Sequence, residues 1–427
     1  MLKGIANAFR VKELRDKILI TLGILAIYRF GAYLPVPGIP FRGMLNAYET
    51  SSTGGALMVL NLFSGGALSR VSVFALGIMP YITAQIIFQM MQAVIPSLQA
   101  LAQEGESGQR KITQYTRYLT IVLATINAIG YLFLFKSSMY GLDFSEIGFA
   151  AWIEDVIIVV TLVAGAMIIM WLGEVITQRG IGNGMSLIIF ANIMAGLPTA
   201  LIQSVTSAQN GFVVTFITVL VILVIIPIIV FIERGQRRIP IQYAKRVVGR
   251  RIMTGQATYL PVKVNTAGVV PIIFASAILY FPAQIAVFFP NVGWMQTFAN
   301  AISTGWLNWL LSVILIVFFA YFYTSMVFNP DETADQLRKS GGFIPGVRPG
   351  NATSSYIKNV LDHITLPGAI FMAIIAVVPS IVFALTDNTL IQTFGGTSIL
   401  IMVGVAMDTI AAVESQLKMH NYEGFFK

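Results

Sequence analysis

Long apolar runs recur along the whole chain, and they constrain its fold more than any other feature. Each run is long enough to cross the membrane as an α-helix, because about 20 residues span the hydrocarbon. Backbone inside lipid must satisfy its own hydrogen bonds, and a helix does so within one segment. The pattern therefore predicts an all-α polytopic membrane protein with ten transmembrane helices, at residues 18–36, 75–95, 116–136, 153–173, 184–205, 212–232, 267–289, 306–328, 360–385 and 390–413.

Composition excludes the usual soluble classes. Of the 427 residues, 56% are hydrophobic and 11% are charged, whereas a soluble domain carries about 25% charged residues. A chain so apolar is not intrinsically disordered, and the absence of a Gly-x-y repeat excludes collagen.

The chain also lacks the residues of common catalytic and metal sites. It has no cysteine, which excludes disulfides, zinc–thiolate sites and thiol catalysis, and it has two histidines, His363 and His420. The P-loop, HExxH and GxSxG motifs are absent from the sequence. We therefore expect no enzyme activity, no catalytic residue, no metal and no cofactor.

The N-terminal residues 1–18 are polar and amphipathic, and no small-residue cleavage site follows the first apolar run. They are therefore not predicted to be a cleavable signal peptide. They favour instead a short helix on the membrane surface, with Ile5, Phe9 and Leu14 toward lipid.

Basic residues concentrate on one side of the predicted membrane. The chain start, the even-numbered connections and the C-terminal tail hold 23 of the 27 Lys and Arg residues. Connections rich in Lys and Arg stay in the cytoplasm. Both termini are therefore predicted to be cytoplasmic, which agrees with an even number of spans.

The ten spans divide into two sets of five. Because five is odd, a repeated five-helix unit inserts upside down the second time, as in many transport proteins. We expect two pseudo-symmetric inverted halves, residues 1–206 with spans 1–5 and residues 207–427 with spans 6–10. The functional path of such repeats lies at their interface.

Residues 37–74 form an external connection with a short apolar run at 57–63, which Gly65 and Gly66 interrupt. Two interpretations remain open, an interfacial re-entrant turn and a small plug folded back into a pore mouth. Non-helical backbone is tolerated at membrane depth only where it contacts protein or water.

Two cytoplasmic connections, at about 233–266 and 329–359, are long and together hold 12 basic residues. Loops of more than about 15 residues in a compact protein usually have a function. Alternation around Ile239–Tyr243 predicts a hairpin with a charged tip. Its charge either sets the topology or docks an anionic partner, such as RNA, an acidic protein surface or lipid head groups.

Several segments resemble one family, and they occur in its order along nearly the whole chain. They are NLFSGGALSR, FALGIMPYITAQI, ITQRGIGNGMSLIIFANI, YAKRVVGRR, VNTAGVVPIIFASAI, KSGGFIPGVRPG, FGGTSILIMVGVAMDT and NYEGFFK. These segments resemble the SecY/Sec61α family of protein-conducting channels, and the RPG and NYEG signatures suggest its bacterial branch.

The resemblance implies positions for the working parts of such a channel. A plug is implied at about 57–73, and a lateral gate between spans 2 and 7, with Gln89 and Asn265 as its polar pair. The implied residues of the pore ring are Ile78, Ile82, Met185, Ile189, Ile273 and Ile401, those of the plug are Leu60, Phe63, Gly65, Gly66 and Arg70, and those that dock a motor or ribosome are Arg250, Arg251 and Arg348.

The resemblance also implies the function and its partners. The chain would be the central pore-forming subunit of a protein translocase in the cytoplasmic (inner) membrane, a passive channel that moves unfolded polypeptides across and releases hydrophobic segments into lipid. The implied partners are the membrane subunits SecE and SecG, the SecA ATPase, the ribosome, signal sequences with unfolded secretory or membrane proteins, and the lipid bilayer.

Two other functions fit the topology. A secondary transporter for a small solute would need more buried charges or interrupted spans at the midplane, and few ionisable residues lie inside the spans. Asp408, toward the inner part of span 10, is interpreted as a helix-end residue that reaches the cytoplasmic interface. A membrane scaffold with a basic docking face would need neither an apolar ring nor a plug.

Overall fold

Helices form the body of the protein and a small sheet lies at one end. The computed structural model describes residues 11–37, 64–136, 151–207, 211–243, 246–248, 251–253, 258–288, 292–303, 305–386 and 395–423. Its helices in chain order are α1 (Lys12–Gly31), α2 (Met79–Val94), α3 (Pro96–Gln103), α4 (Glu106–Lys136), α5 (Ala151–Arg179), α6 (Gly184–Ser207), α7 (Gly211–Glu233), α8 (Val270–Phe288), α9 (Gly293–Ser303), α10 (Trp306–Val327), α11 (Pro330–Lys339), α12 (Asn351–Thr386) and α13 (Gly396–Glu423).

A helix overlaps each of the ten predicted spans, but the described helices differ in length and polarity. Seven are long and apolar enough to cross a membrane, namely α4, α5, α6, α7, α10, α12 and α13. Helix α2 has 16 residues, and α1 begins with the charged sequence KELRDK. The chain is thus an all-helical, multi-pass membrane protein, whereas the number ten remains a prediction.

The outer faces of these helices are apolar, as lipid contact requires. Leu223 on α7, Ile314 on α10 and Ile374 on α12 are all exposed. A soluble monomer rarely exposes a large contiguous apolar surface, whereas large apolar side chains are exposed on several of these helices. Inside the bundle, Tyr28 and Phe319 belong to one large cluster of buried hydrophobic residues.

The two long basic connections meet in one sheet. Strands β1 (Gln236–Tyr243) and β4 (Thr258–Lys263) pair antiparallel, with Ile239 opposite Leu260. Strand β5 (Gly342–Phe343), from the other connection, pairs with the far end of β1. The short strands β2 (Arg246–Val248) and β3 (Arg251–Met253) extend the hairpin toward its tip. The predicted hairpin is confirmed, and the sheet joins the two connections at the same end of the bundle.

This sheet has its own apolar core. Ile239, Ile241 and Val262 are buried together with Ile344 and Ile357, which come from the second connection and from α12. Alternate residues of β1, such as Arg238, are exposed. The alternation follows from the period of two residues in a strand, and it places basic side chains outside.

The prediction that Leu14 faces lipid is wrong, and Ile5 and Phe9, which were predicted with it, lie outside the described residues. Leu14 is buried in a small cluster with Ile181, against Val413 and Leu417 of α13. Lys17 adds a hydrogen bond from its Nζ to Gln416 Oε1 at 3.3 Å. The start of α1 packs on protein because α13 extends past the predicted span and covers the apolar face of α1.

An ion pair connects α4 to α5 within the bundle. Arg117 Nε and Nη2 donate to the two oxygens of Glu174 at 2.9 and 2.6 Å. The Glu174 side chain is 12% exposed. A bidentate pair fixes the rotation of both helices, and removal of one partner leaves a poorly solvated charge.

We predict that Arg117→Met lowers the free energy of unfolding by about 2 kcal/mol, the order expected for a buried acceptor left without its donor. Melting of the purified protein in detergent measures the change. The double variant Arg117→Met/Glu174→Met is the control, since it removes both charges and should recover part of the loss. Equal melting temperatures for wild type and Arg117→Met would contradict the prediction.

Candidate pore, plug and gate

Six apolar side chains at the predicted ring positions are buried in one cluster. Ile78 precedes α2 and Ile82 lies one turn inside it, while Met185 and Ile189 are one turn apart on α6. Residues four apart share a face of a helix, so each pair faces the same way. With Ile273 and Ile401, these residues are at most 7% exposed and all belong to the main hydrophobic cluster.

Met185 fits the ring because a glycine faces it. A Cβ built on Gly173 of α5 would collide with Met185 Sδ. Met185 therefore occupies space that only glycine leaves free. A flexible thioether fills irregular gaps, which suits this position among branched neighbours.

The predicted plug at about 57–73 is described from residue 64 onward, and turns continue past its predicted end to Ile78. Residues 64–78 are called the plug segment below. Leu60 and Phe63 lie outside the described residues. Gly65 and Gly66 have φ angles of 66° and 83°, a region that glycine enters without steric cost. The backbone N–H groups of Ala67 and Leu68 bond to Ser64 O and Oγ. The apolar run 57–63 lies outside the described residues, so its interruption by the two glycines remains a prediction.

Arg29 holds the plug segment through its backbone. Its Nη1 donates to Gly65 O at 3.1 Å. A Cβ on Gly65 would lie 2.5 Å from Asn192 Oδ1 and 2.7 Å from Arg29 Nη1. Because Asn192 lies one turn beyond Ile189 on α6, the contact places the plug segment directly beside the ring.

The guanidinium groups of Arg29 and Arg70 both lie near the ring of Tyr33. The Arg70 Cζ lies 4.1 Å and the Arg29 Cζ 5.9 Å from the centre of its ring. An aromatic face attracts cations, and more strongly where water is partly excluded. The plug segment is thus attached to the end of α1 by a charge-assisted hydrogen bond and by cation–π contacts.

The end of the plug segment packs tightly between helices. Phe74 stacks on Tyr28 with ring centres 5.6 Å apart, and a Cβ on Gly31 would collide with its ring. Val36 N donates to Val71 O, and Val73 N to Leu34 O. Ala67 and Phe74 lie in the same buried cluster as the six ring residues.

The sequence did not indicate the roles of Arg29, Tyr33 and Asn192. In the sequence, Arg29 is a charged residue toward the end of the first predicted span. Its position could have indicated a role, because it is one of four basic residues predicted on the side opposite the basic connections.

The predicted gate helices α2 and α8 are in contact. The Asn265 amide donates to Glu233 Oε2 at 2.9 Å and to Gly268 O at 3.0 Å, so its bonds go to these groups rather than to Gln89. Gln89 Oε1 and Asn265 Oδ1 are buried without a hydrogen-bond partner among the described residues. The polar pair of Gln89 and Asn265 remains a prediction.

The predicted docking residues lie at the sheet end of the bundle. Arg348 is exposed in the turn between β5 and α12, and its carbonyl oxygen accepts from Thr353 Oγ1 at 2.8 Å. Arg251 begins β3, and Arg250 lies outside the described residues. Pairing of β1 with β5 brings the two connections together, although they are almost 100 residues apart in sequence.

Comparison with known proteins finds one family. The family model described as SecY matches residues 72–410. The protein translocase subunit SecY of Streptomyces coelicolor is 46% identical over 442 residues, which cover 100% of both chains.

Two solved structures have a similar fold. The structure of a protein conducting channel aligns over 93% of this chain and 91% of its own, with 15% identity and a TM-score of 0.64. Sec61 in the canine ribosome–channel complex aligns over 93% and 91%, with 14% identity and a TM-score of 0.60.

The positions of Gly65 and Gly66 allow a matched test of the attachment of the plug segment. We predict that Gly65→Ala speeds amide hydrogen exchange across residues 64–78 several-fold, because the new Cβ displaces Arg29 and Asn192. Gly66→Ala is the control. It shares the positive φ, but its nearest neighbour is Arg70 Nη1 at 3.8 Å. Equal exchange in the two variants would show that backbone strain alone is responsible.

Proposed function

The chain belongs to the SecY family, and from this premise we infer that it is the pore-forming subunit of a protein translocase. The observation that carries the inference is the ring of buried apolar side chains packed against the plug segment. We propose that an unfolded polypeptide passes through this ring. The chain thereby supplies a conduit rather than a catalytic centre.

A closed apolar ring is a barrier to water and ions, because a narrow hydrophobic constriction dewets. We propose that Ile78, Ile82, Met185, Ile189, Ile273 and Ile401 form this barrier. Branched and thioether side chains change rotamer easily, so they fit around an extended polypeptide and close after it. The proposed plug at about 57–73 covers the external side of the ring, with Arg29 holding Gly65 in the closed state.

We propose that the channel also opens sideways, between α2 and α8. Uncharged polar contacts between membrane helices are worth about 1 kcal/mol or less each, so separation of the two helices costs little. A hydrophobic signal sequence recovers that cost when it partitions into lipid through the slit. Gln89 and Asn265 are the proposed polar residues of this gate.

The energy for movement has to come from a partner or from the proton-motive force, since the sequence has no P-loop. We propose that the SecA ATPase or the ribosome docks on the joined basic connections, through Arg250, Arg251 and Arg348. Positive charge near the docking site speeds encounter with an anionic partner. The membrane subunits SecE and SecG complete the proposed translocase.

The proposed topology has ten spans and two inverted halves, residues 1–206 and 207–427, with both termini in the cytoplasm. The seven long apolar helices and the meeting of the two basic connections at one end support it. The proposed location is the cytoplasmic (inner) membrane, with the sheet inside the cell.

Cysteine capture tests conduction through the ring. The natural chain has no cysteine, so single cysteines at 78, 189 and 273 can be combined with a stalled secretory precursor that carries its own. We expect disulfides at these positions but not at the control position 314, on the outer face of α10. No capture at the ring, together with solute uptake in proteoliposomes, would favour a secondary transporter.

Substitution of Ile273 tests the seal. We predict that Ile273→Asn hydrates the ring, because a buried amide attracts water into an apolar site. Ion conductance of the resting channel in planar bilayers should rise, and precursors with defective signal sequences should be translocated. Ile273→Val is the control, since it keeps the ring apolar. An unchanged conductance and signal requirement would count against the ring assignment.

A charge reversal tests docking. We predict that Arg348→Glu lowers the rate of translocation several-fold without loss of membrane insertion, because it places a negative charge where an anionic partner binds. Lys358→Glu, an equal change on an exposed residue of α12, is the control and should have the smaller effect. Translocation by Arg348→Glu at the wild-type rate would refute this assignment.

A further inference from the structure

Helix α9 links α8 to α10 at the end of the bundle opposite the sheet. The connections before α8 and after α10 both enter the sheet through β4 and β5. Since α8 has 19 residues and α10 has 22, and a helix rises about 1.5 Å per residue, the helix between them lies far from the sheet, toward the other membrane surface. Four residues precede it and two follow it before α10 begins, so the chain cannot carry it far from that surface.

One face of α9 is packed and the other is open. Ala299 and Ile302 are buried, and the helix contacts both α8 and α10. The end of α9 is fastened to α10, because Asn308 Nδ2 donates to Ile302 O at 2.8 Å. The helix therefore has a fixed orientation on the bundle.

The open face is aromatic and carries no charge. Trp294 and Phe298, four residues apart, are 70% and 53% exposed, and Trp306 at the start of α10 is 71% exposed. Thr297 on the same face donates its hydroxyl proton to Gly293 O at 3.0 Å, so its polar group is used within the helix. Residues 264–330 contain no charged side chain.

We propose that α9 is an interfacial anchor whose Trp294–Phe298 face, together with Trp306, inserts into the head-group region of the lipid bilayer. Tryptophan is enriched at the membrane–water interface because its ring is apolar and its N–H can reach water. The face continues the lipid-exposed surface of α10, where Leu310 and Ile314 are exposed. The connection has no charged residue that would favour water over the interface.

The anchor gives the outer end of α8 a fixed level in the membrane. Because α9 packs on α8, a movement of α8 away from α2 requires α9 to slide along the lipid surface or to separate from α8. The proposal rests on the membrane position of the chain and not on conduction, so failure of the capture experiment leaves it intact.

Spin labelling tests the anchor in the purified translocase reconstituted in phospholipid vesicles. Trp294→Cys and Phe298→Cys carry a nitroxide, and Tyr259→Cys on exposed β4 is the aqueous control. We expect the ratio of collisions with oxygen to collisions with a water-soluble nickel chelate to be several-fold higher at 294 and 298 than at 259. Nickel access at 294 and 298 equal to that at 259 would overturn the proposal. Exclusion of both probes would overturn it too, because a protein partner would then cover the face.

Native fluorescence gives a second measurement that needs no label. With brominated lipids in the vesicles, Trp294→Phe should lower the fraction of tryptophan emission that bromine quenches. Trp309→Phe, which removes a half-buried tryptophan of α10, should lower it less. Equal losses in the two variants would contradict insertion of Trp294 into lipid.

Discussion

A seal such as the proposed ring has to exclude water without offering it a polar group, and the structure around the six residues agrees with this requirement. The six proposed ring residues share one apolar cluster with Ala67 of the proposed plug and with Phe74, which follows it. The turns of the plug segment leave backbone carbonyls outside any helix, and each buried group without a partner is costly. Arg29 meets this need at Gly65, and strand-like bonds between 34–36 and 71–73 meet it on the other side. Glycines at 31 and 165 let the segment approach the helices closely enough to pack.

The sheet at the other end of the bundle joins two connections that are far apart in sequence. Glu233 ends α7 immediately before the basic hairpin, and Asn265 follows it at the entry to α8. Their hydrogen bond closes the root of the hairpin. A force applied to β1 and β4 therefore reaches the first turn of α8 through backbone and one polar contact. This arrangement would give a partner docked at the proposed site a short mechanical route to the proposed gate helix α8.

The sequence predicted the helices well because length and apolar content are local properties. The hairpin was predicted for the same reason, since the alternation around Ile239 is a local signal with the period of a strand. Leu14 was misassigned because its environment depends on α13, some 400 residues away, which extends beyond the predicted span. The same long-range dependence hid the contact of Arg29 with Gly65, since pattern alone interprets a terminal arginine as a topology signal. Helix α9 was not predicted, because the search for spans of about 20 apolar residues leaves an 11-residue helix in the connection between two spans.

In the proposed channel, the plug segment and the ring are held by different kinds of contact. The described part of the plug segment is held by a hydrogen bond from Arg29, by the backbone bonds of Val36 N to Val71 O and of Val73 N to Leu34 O, and by the burial of Ala67 and Phe74. Each side chain of the proposed ring gains about 1.5–3 kcal/mol from burial, so exposure of all six to water would cost several times the gain of one. In the proposed function a polypeptide avoids most of that cost, because the ring side chains exchange contact with one another for contact with the passing chain.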